Sequence, residues 1–346
     1  MTEKFKAILM FSGGLDSILA ARIIRDEGFE VVALHFYTGF NGAVSGEITR
    51  GASWKWTPGQ RIIDSAEKLG IQLVPMDVSD EYLDLIINPR YGHGSGVNPC
   101  IDCRIFLLKK AKEVMETKGA VMVFTGEVLG QRPMSQMKGT LRLVEKQSSM
   151  KGKLLRPLSA KLLDPTIPEL EGIVNRGHLY DISGRSRKPQ MELAKKFGID
   201  WYPSSTGGCL LTDRSFRKKF HDLVSHSNGR EITLWELNTL KTGRHFRLES
   251  GVKVIVGRNM LENQYLFDLL DNTCWYFDAC DFKGAMVFAL DEPGEEDFLT
   301  ISAITARYSK GIHETSVAVT AARGDTTRHF TVKPAEHSSI EPLMIC

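Results

Sequence analysis

Between an apolar run, Ala7–Phe11, and an amphipathic stretch, Leu15–Arg25, lies the hexapeptide Ser12-Gly13-Gly14-Leu15-Asp16-Ser17. The pattern predicts a strand, a glycine loop and a helix. Glycines let backbone N–H groups approach an anion closely, and the start of a helix adds favourable electrostatics. The Ser12 and Ser17 hydroxyls can donate to phosphate oxygens, and Asp16 can help to hold Mg2+. No Gly-Lys-Ser/Thr ending follows, so this is not a Walker A loop. A Gly-Gly pair can also serve simply as a tight turn before a helix.

Further elements repeat the alternation. Strands are expected at Val31–Phe36, Gln72–Val78 and Val121–Thr125, with a glycine-rich loop running through Gly51 and a helix near Gln60–Leu69. This order predicts an α/β fold with a doubly wound parallel sheet. The loops after Phe11, Phe36 and Thr125 then share the carboxyl edge, where such sheets bind ligands. From Met150 to Lys188 basic residues stand among prolines and glycines, a helix is expected at Met191–Phe197, and the loop Ser204–Gly208 leads to Cys209. A length of 346 residues suits two domains, and a division near residue 225 gives domains 1–225 and 226–346. The second half reads as a smaller α+β domain, with strand candidates such as Lys253–Val256 and Trp275–Phe277 and helices at Met260–Leu270 and Asp297–Tyr308.

Cutting the chain exposes a charge asymmetry that the net +2 conceals. Residues 1–229 hold 32 Lys and Arg against 25 Asp and Glu, while residues 230–346 hold 12 against 17. A nucleic-acid partner should therefore meet mainly the first part, because phosphate neutralisation supplies most of the sequence-independent affinity; a solvated surface without a partner gives the same counts. No apolar run approaches the ~20 residues of a membrane span, and no signal-peptide pattern opens the chain. The expected compartment is the cytoplasm, where thiols stay reduced and the six cysteines need another explanation.

The hexapeptide resembles the signature of the PP-loop ATP pyrophosphatases, which cleave ATP between its α and β phosphates and leave AMP on a substrate oxygen. A second stretch, Thr125-Gly126-Glu127-Val128-Leu129-Gly130-Gln131-Arg132-Pro133-Met134-Ser135-Gln136, is similar to a segment of the tRNA 4-thiouridine synthetases, and Leu154-Leu155-Arg156-Pro157-Leu158 extends that likeness. Asn98-Pro99-Cys100 with Cys103, and Gly208-Cys209 far downstream, look instead like the tRNA 2-thiouridylases. The mixture, over roughly residues 5–213, implies a tRNA thiolase. It implies ATP and Mg2+ held by Ser12, Gly13, Gly14, Leu15, Asp16, Ser17, His35, Thr125, Gly126, Glu127 and Gln131, with Asp16, Cys100, Cys103 and Cys209 catalytic. The implied partners are tRNA and a sulfur donor, either sulfide or a persulfide carrier. Arg132, Lys151, Lys153, Arg156, Arg185, Arg187, Lys188, Arg214, Arg217, Lys218 and Lys219 are the candidate RNA contacts.

Cys-x-x-Cys spacing brings two sulfurs close enough for one metal, one cluster or a redox pair. Three thiolates, Cys100, Cys103 and Cys209, would leave one iron of a [4Fe–4S] cluster open for hydrosulfide. Persulfide chemistry, with one cysteine carrying sulfur and another resolving it, is the second reading. A structural zinc with His93 as fourth ligand is the third. Cys274, Cys280 and Cys346 show no comparable spacing. Downstream, Gly251–Asn259, Glu262-Asn263 and Trp275–Gly284 resemble the NFACT-R domain, linked to RNA in ribosome-associated quality-control proteins. The resemblance lapses at Asp278 and at Ala285-Met286, where histidine-containing patterns are usual. The expected function is ATP-dependent thiolation of a tRNA uridine; the alternatives are adenylation of a small metabolite and an inactive RNA- or ribosome-binding factor.

Overall fold

A computed structural model describes residues 4–41, 46–50, 54–94, 96–203, 209–227, 229–270 and 273–346. The loop Ser204–Gly208 and part of the glycine-rich stretch after Phe36 lie outside the described residues. The chain forms two compact units, Met1–Thr212 and Asp213–Cys346.

The first unit is built on β1 (Lys6–Met10), α1 (Leu15–Asp26), β2 (Glu30–Tyr37), a hairpin of β3 (Gly46–Arg50) and β4 (Trp54–Pro58), and α2 (Gln60–Leu69). It continues through β5 (Gln72–Asp77), α3 (Ser79–Ile87), α4 (Cys100–Thr117), β6 (Met122–Thr125), α5 (Lys138–Gln147), β7 (Leu154–Leu155), α6 (Ile167–Leu170) and α7 (Lys188–Lys196). The sheet order is β5-β2-β1-β6-β7, and every pairing is parallel. The expected α/β fold is therefore the observed one. Strand alternation divides the core into two layers. Ala7 and Leu9 join the α1 side with Ile18, Leu19 and Leu193. Ile8 joins Leu108, Ala111 and Val144 on the α4–α5 side. Each fully buried aliphatic side chain contributes on the order of 1.5–3 kcal/mol, so helices on both faces hold the strands and leave only strand ends for chemistry.

Helix α4 emerges from a stretch in which the sequence suggested only the cysteine pair. It buries Ile105, Leu108, Ala111 and Met115, a stripe at helical spacing. Cys100 is its first residue and Cys103 closes its first turn.

The second unit begins with α8 (Arg214–Ser225), followed by α9 (Leu234–Thr239), β8 (Arg244–Arg247), β9 (Lys253–Val256), α10 (Met260–Leu270), β10 (Trp275–Ala279) and β11 (Val287–Ala289). It ends with α11 (Glu295–Arg307), β12 (Val317–Arg323), β13 (Thr326–Val332) and α12 (His337–Ile340). Its antiparallel sheet runs β13-β12-β10-β11-β9-β8, with Phe277, Val287 and Val319 packed beneath Phe298, Ile301 and Ile304 of α11. The division drawn from sequence, between 225 and 226, falls at the end of α8. The compact units part ahead of that helix, which carries Arg214, Arg217 and Lys218 into the second unit.

Candidate active site

The hexapeptide follows β1 and opens α1, in the middle of the parallel sheet. Ser17 Oγ donates to the Gly14 carbonyl at 2.9 Å, and Ser12 Oγ donates to Ser17 Oγ at 3.2 Å. No side chain caps α1, whose N-cap is Gly14, so its first amides remain available to a ligand. Two glycines are required by contact. Gly13 has φ +70°, and a Cβ there would lie 2.4 Å from Ile62 Cδ1 of α2. A Cβ on Gly126, at the end of β6, would lie 2.4 Å from the Asp16 carbonyl carbon. Thus α2 and the β6 edge press on the loop.

Asp16 accepts from Gln131 Nε2 at 3.0 Å through Oδ2, while its buried Oδ1 has no partner. Burial raises its carboxyl, and the amide of Gln131 and the guanidinium of Arg187 oppose that rise. A buried, unpartnered carboxylate oxygen beside free amides fits Mg2+ with a phosphate. Gln190 on α7 is buried beside Asp16, and its amide also opposes the rise of that carboxyl. Sequence inspection missed it because nothing local ties α7 to the loop.

The loop forms one wall of a cavity of about 440 Å³ at the carboxyl edge, which His35, Thr125, Glu127, Gln131, Cys103 and Cys209 also line. A second cavity, lined by Arg22, Asp26 and Glu30, lies at the opposite, amino edge and contains none of the motif residues. His35 is buried and donates from Nδ1 to the Phe11 carbonyl at 2.8 Å, and its ring stacks on Trp56. Glu127 pairs with Arg104 at 2.7 Å and with Arg156 at 2.9 Å. Burial alone would raise its carboxyl, but these two guanidiniums hold it below the ordinary value.

The cysteines meet through backbone contacts outside the helices. Leu210 N donates to the Phe40 carbonyl at 3.1 Å, and Val97 N donates to the Leu211 carbonyl at 2.9 Å. These bonds bring Cys209 to the strand ends beside the start of α4. Cys103 and Cys209 face the cavity, whereas Cys100 accepts from Asn98 Nδ2 at 2.9 Å to one side. Burial pushes the Cys103 thiol up to about 11, although Tyr82 and Arg104 oppose it. Cys209 presents surface to solvent, yet desolvation of its thiol within the cleft raises it to about 12. Because the thiolate is the reactive form, alkylation by iodoacetamide should stay slow at pH 9 and accelerate only as pH passes about 11. A half-maximal rate near pH 8.5 at either position, measured by mass spectrometry, would contradict this.

Several expectations need correction. Among the described residues no group of three or more His, Cys, Asp and Glu side chains is arranged to hold a metal ion. Cys103 and Cys209 face the cavity while Cys100 is engaged by Asn98 to one side, so this arrangement does not show a [4Fe–4S] cluster, and His93 is engaged with the Ile86 carbonyl at 2.8 Å rather than with the cysteines. Arg156 is 2% exposed and paired with Glu127 and Glu145, so it is a core ion rather than an RNA contact. Lys219 is 5% exposed and donates to the carbonyls of Leu240 and Gly243, anchoring the turn into β8. Arg132, Lys151, Lys153, Arg185, Lys188, Arg214, Arg217 and Lys218 are exposed, and Arg187 is half-buried near Asp16.

Known proteins bear on this arrangement. The tRNA-specific 2-thiouridylase MnmA of Bradyrhizobium sp. (strain BTAi1 / ATCC BAA-1182) is 29% identical over 210 residues, 57% of this chain and 47% of that protein. The MnmA of Petrotoga mobilis (strain DSM 10674 / SJ95) is 32% identical over 133 residues, 36% of this chain and 35% of that protein. Residues 5–151 match the family described as tRNA methyl transferase HUP domain, and residues 243–344 match the NFACT protein RNA binding domain. The chain joins a HUP-type domain similar to part of the MnmA relatives to an NFACT-R domain. It spans less than half the length of either MnmA relative. The C-terminal part of the fibronectin/fibrinogen-binding protein from Streptococcus suis gives a TM-score of 0.27 at 13% identity, over 71% of this chain and 94% of that one, too distant to carry an argument. Within the NFACT-R domain Asp278 lies on β10, and burial raises its carboxyl. Among the described residues no helix is long and apolar enough to cross a membrane.

Proposed function

We propose that the first unit binds ATP in this cavity, adenylates a uracil carbonyl oxygen of tRNA, and replaces that oxygen with sulfur carried on cysteine. The observation that carries the reading is the shared wall: Cys103 and Cys209 line the same cavity as Ser12, Gly13 and Asp16. The uracil oxygen attacks the α-phosphorus and pyrophosphate leaves. Mg2+, held by Asp16, would offset charge on the phosphates. The loop amides and the start of α1 stabilise that charge from fixed positions.

Sulfur delivery uses the cysteine pair. A persulfide on one thiol, supplied by an external persulfide donor, attacks the adenylated ring carbon and AMP departs with the oxygen. The second thiol then attacks the cysteine sulfur of the resulting disulfide, releasing the thiolated uridine and leaving a Cys103–Cys209 disulfide for an external thiol to reduce. The names of the MnmA relatives favour O2 as the oxygen replaced. Exposed Lys151, Lys153, Arg185 and Lys188 are the proposed tRNA contacts on this unit; Arg214, Arg217 and Lys218 are separate candidates on the second.

Cys103→Ser and Cys209→Ser are each expected to abolish thionucleoside formation, followed by mass spectrometry of digested tRNA. Both should retain a single-turnover burst of pyrophosphate with tRNA and MgATP. Thiolation at the wild-type rate in either variant would remove the cysteine pair from the mechanism. Absence of any pyrophosphate burst in the wild-type protein would remove the adenylation reading itself.

A further inference from the structure

A loop that grips a triphosphate without a lysine must find its positive charge elsewhere. Among the described residues lining the cavity there is no lysine, but there are three guanidiniums, of Arg61, Arg104 and Arg132. Arg104 is already committed. It pairs with Glu127 at 2.7 Å and donates to the Ser135 carbonyl at 3.0 Å, so its charge is spent within the protein. Arg61 and Arg132 are exposed, and among the described residues neither pairs with a carboxylate.

The sheet order places these two on opposite flanks of the phosphate loop. Strand β1 lies between β2 and β6. Arg61 stands in the first turn of α2, which follows the β2 side. The next residue, Ile62, packs against Gly13 so closely that no Cβ would fit. That first turn has no acidic residue and no side-chain cap, so no protein carboxylate there competes with an anion for the helix start. Arg132 follows β6 on the other side, near enough to Asp16 to act on its charge. Asp16 alone would repel phosphate; the two flanking guanidiniums, together with Arg187, which also acts on Asp16, reverse that balance.

We infer that Arg61 and Arg132 form a two-sided clamp on the pyrophosphate leaving group, with Arg61 supplying the charge that a phosphate-loop lysine supplies elsewhere. This rests on the ATP-dependent reading above. When the uracil oxygen bonds to the α-phosphorus, the bond to the α–β bridging oxygen breaks. Pyrophosphate leaves with that oxygen and its electron pair, and negative charge grows where the two guanidiniums stand. Arginine suits the position because its fork can donate to two phosphate oxygens at once. The clamp also assigns Arg132 to the nucleotide rather than to the RNA backbone, which offers the same phosphate chemistry.

The test compares full-length wild type, Arg61→Ala, Arg61→Lys and Arg132→Ala in three measurements: KM for MgATP, inhibition by inorganic pyrophosphate, and tRNA affinity against salt. Each alanine variant should raise KM for MgATP and weaken pyrophosphate inhibition about 10- to 100-fold, with tRNA affinity within about twofold of wild type. Arg61→Lys should recover part of the loss, and unchanged melting temperatures would separate a lost contact from a damaged fold. Unchanged pyrophosphate inhibition in both alanine variants overturns the clamp. So does a loss confined to tRNA affinity with a flatter salt slope, which would place the arginines on the RNA. If wild type itself takes up neither MgATP nor pyrophosphate, the ATP reading falls and the clamp falls with it.

Discussion

Replacing Arg156 by Met should destabilise the first unit by about 3–5 kcal/mol, the usual effect of removing one partner from a buried charge network. Arg156 is 2% exposed and bridges Glu127 and Glu145, so its loss leaves Glu127 with Arg104 alone and Glu145 without a charge partner in the network. Urea unfolding of the first unit gives the number. The double variant Arg156→Met with Glu145→Gln should recover most of the loss, because Glu127 keeps Arg104 and no charge of the network is left unpaired. A shift below about 1 kcal/mol for Arg156→Met would show that water reaches the network. The pH dependence has a definite sign. Glu127 is held below its ordinary value, so its contribution is present at neutral pH and is lost as pH falls through the folded-state value, on the acid side of the ordinary carboxylate range. The network also holds the Thr125–Gln131 segment against the nucleotide site, so stability and activity should fall together in this variant.

The second large effect concerns one methyl group. Gly126→Ala puts a Cβ 2.4 Å from the Asp16 carbonyl carbon and 2.5 Å from the Ser17 amide nitrogen, and both neighbours are backbone that cannot rotate away. The phosphate loop must move instead. A displacement near 1 Å at such a site typically lowers rate about 100-fold, and overpacking typically destabilises by about 1–3 kcal/mol. Single-turnover pyrophosphate release should therefore fall about 100-fold while the protein stays folded. Release within threefold of wild type would mean that the loop adjusts freely and does not position the triphosphate. Gly139, where a Cβ would meet nothing, is the control: Gly139→Ala should leave release unchanged.

The central strands of the first unit, with α1 and α2, could be read from local pattern. The expected helix over Gln60–Leu69 has the same ends in the structure, and the strands differ by a residue at their limits. Helix α4 escaped because half-buried Ile101, Phe106 and Leu107 fill the gaps between its core positions and blur the period. Arg156 and Lys219 were misread for a different reason. A buried arginine and an exposed one look alike in sequence, and the partners that bury Arg156 stand 29 and 11 residues earlier. Moving the division ahead of α8 shrinks the acidic balance of the second part without reversing it, since residues 213–346 hold 16 Lys and Arg against 19 Asp and Glu.

The sequence by itself determined the parallel α/β plan, the phosphate loop between β1 and α1, and the identity of the thiols. These features rest on interactions within a few residues: strand alternation, glycine geometry and helix periodicity. Only the tertiary structure decided that Cys209 returns to Cys103, that Glu127 is locked between two arginines, and that Arg61 and Arg132 flank the loop. Those outcomes follow from strand order and from hydrogen bonds between segments such as Val97 and Leu211. Burial then set the charges. It raises the thiols and Asp16 and spends Arg104 and Arg156 on Glu127, a division of roles that no spacing along the chain contains.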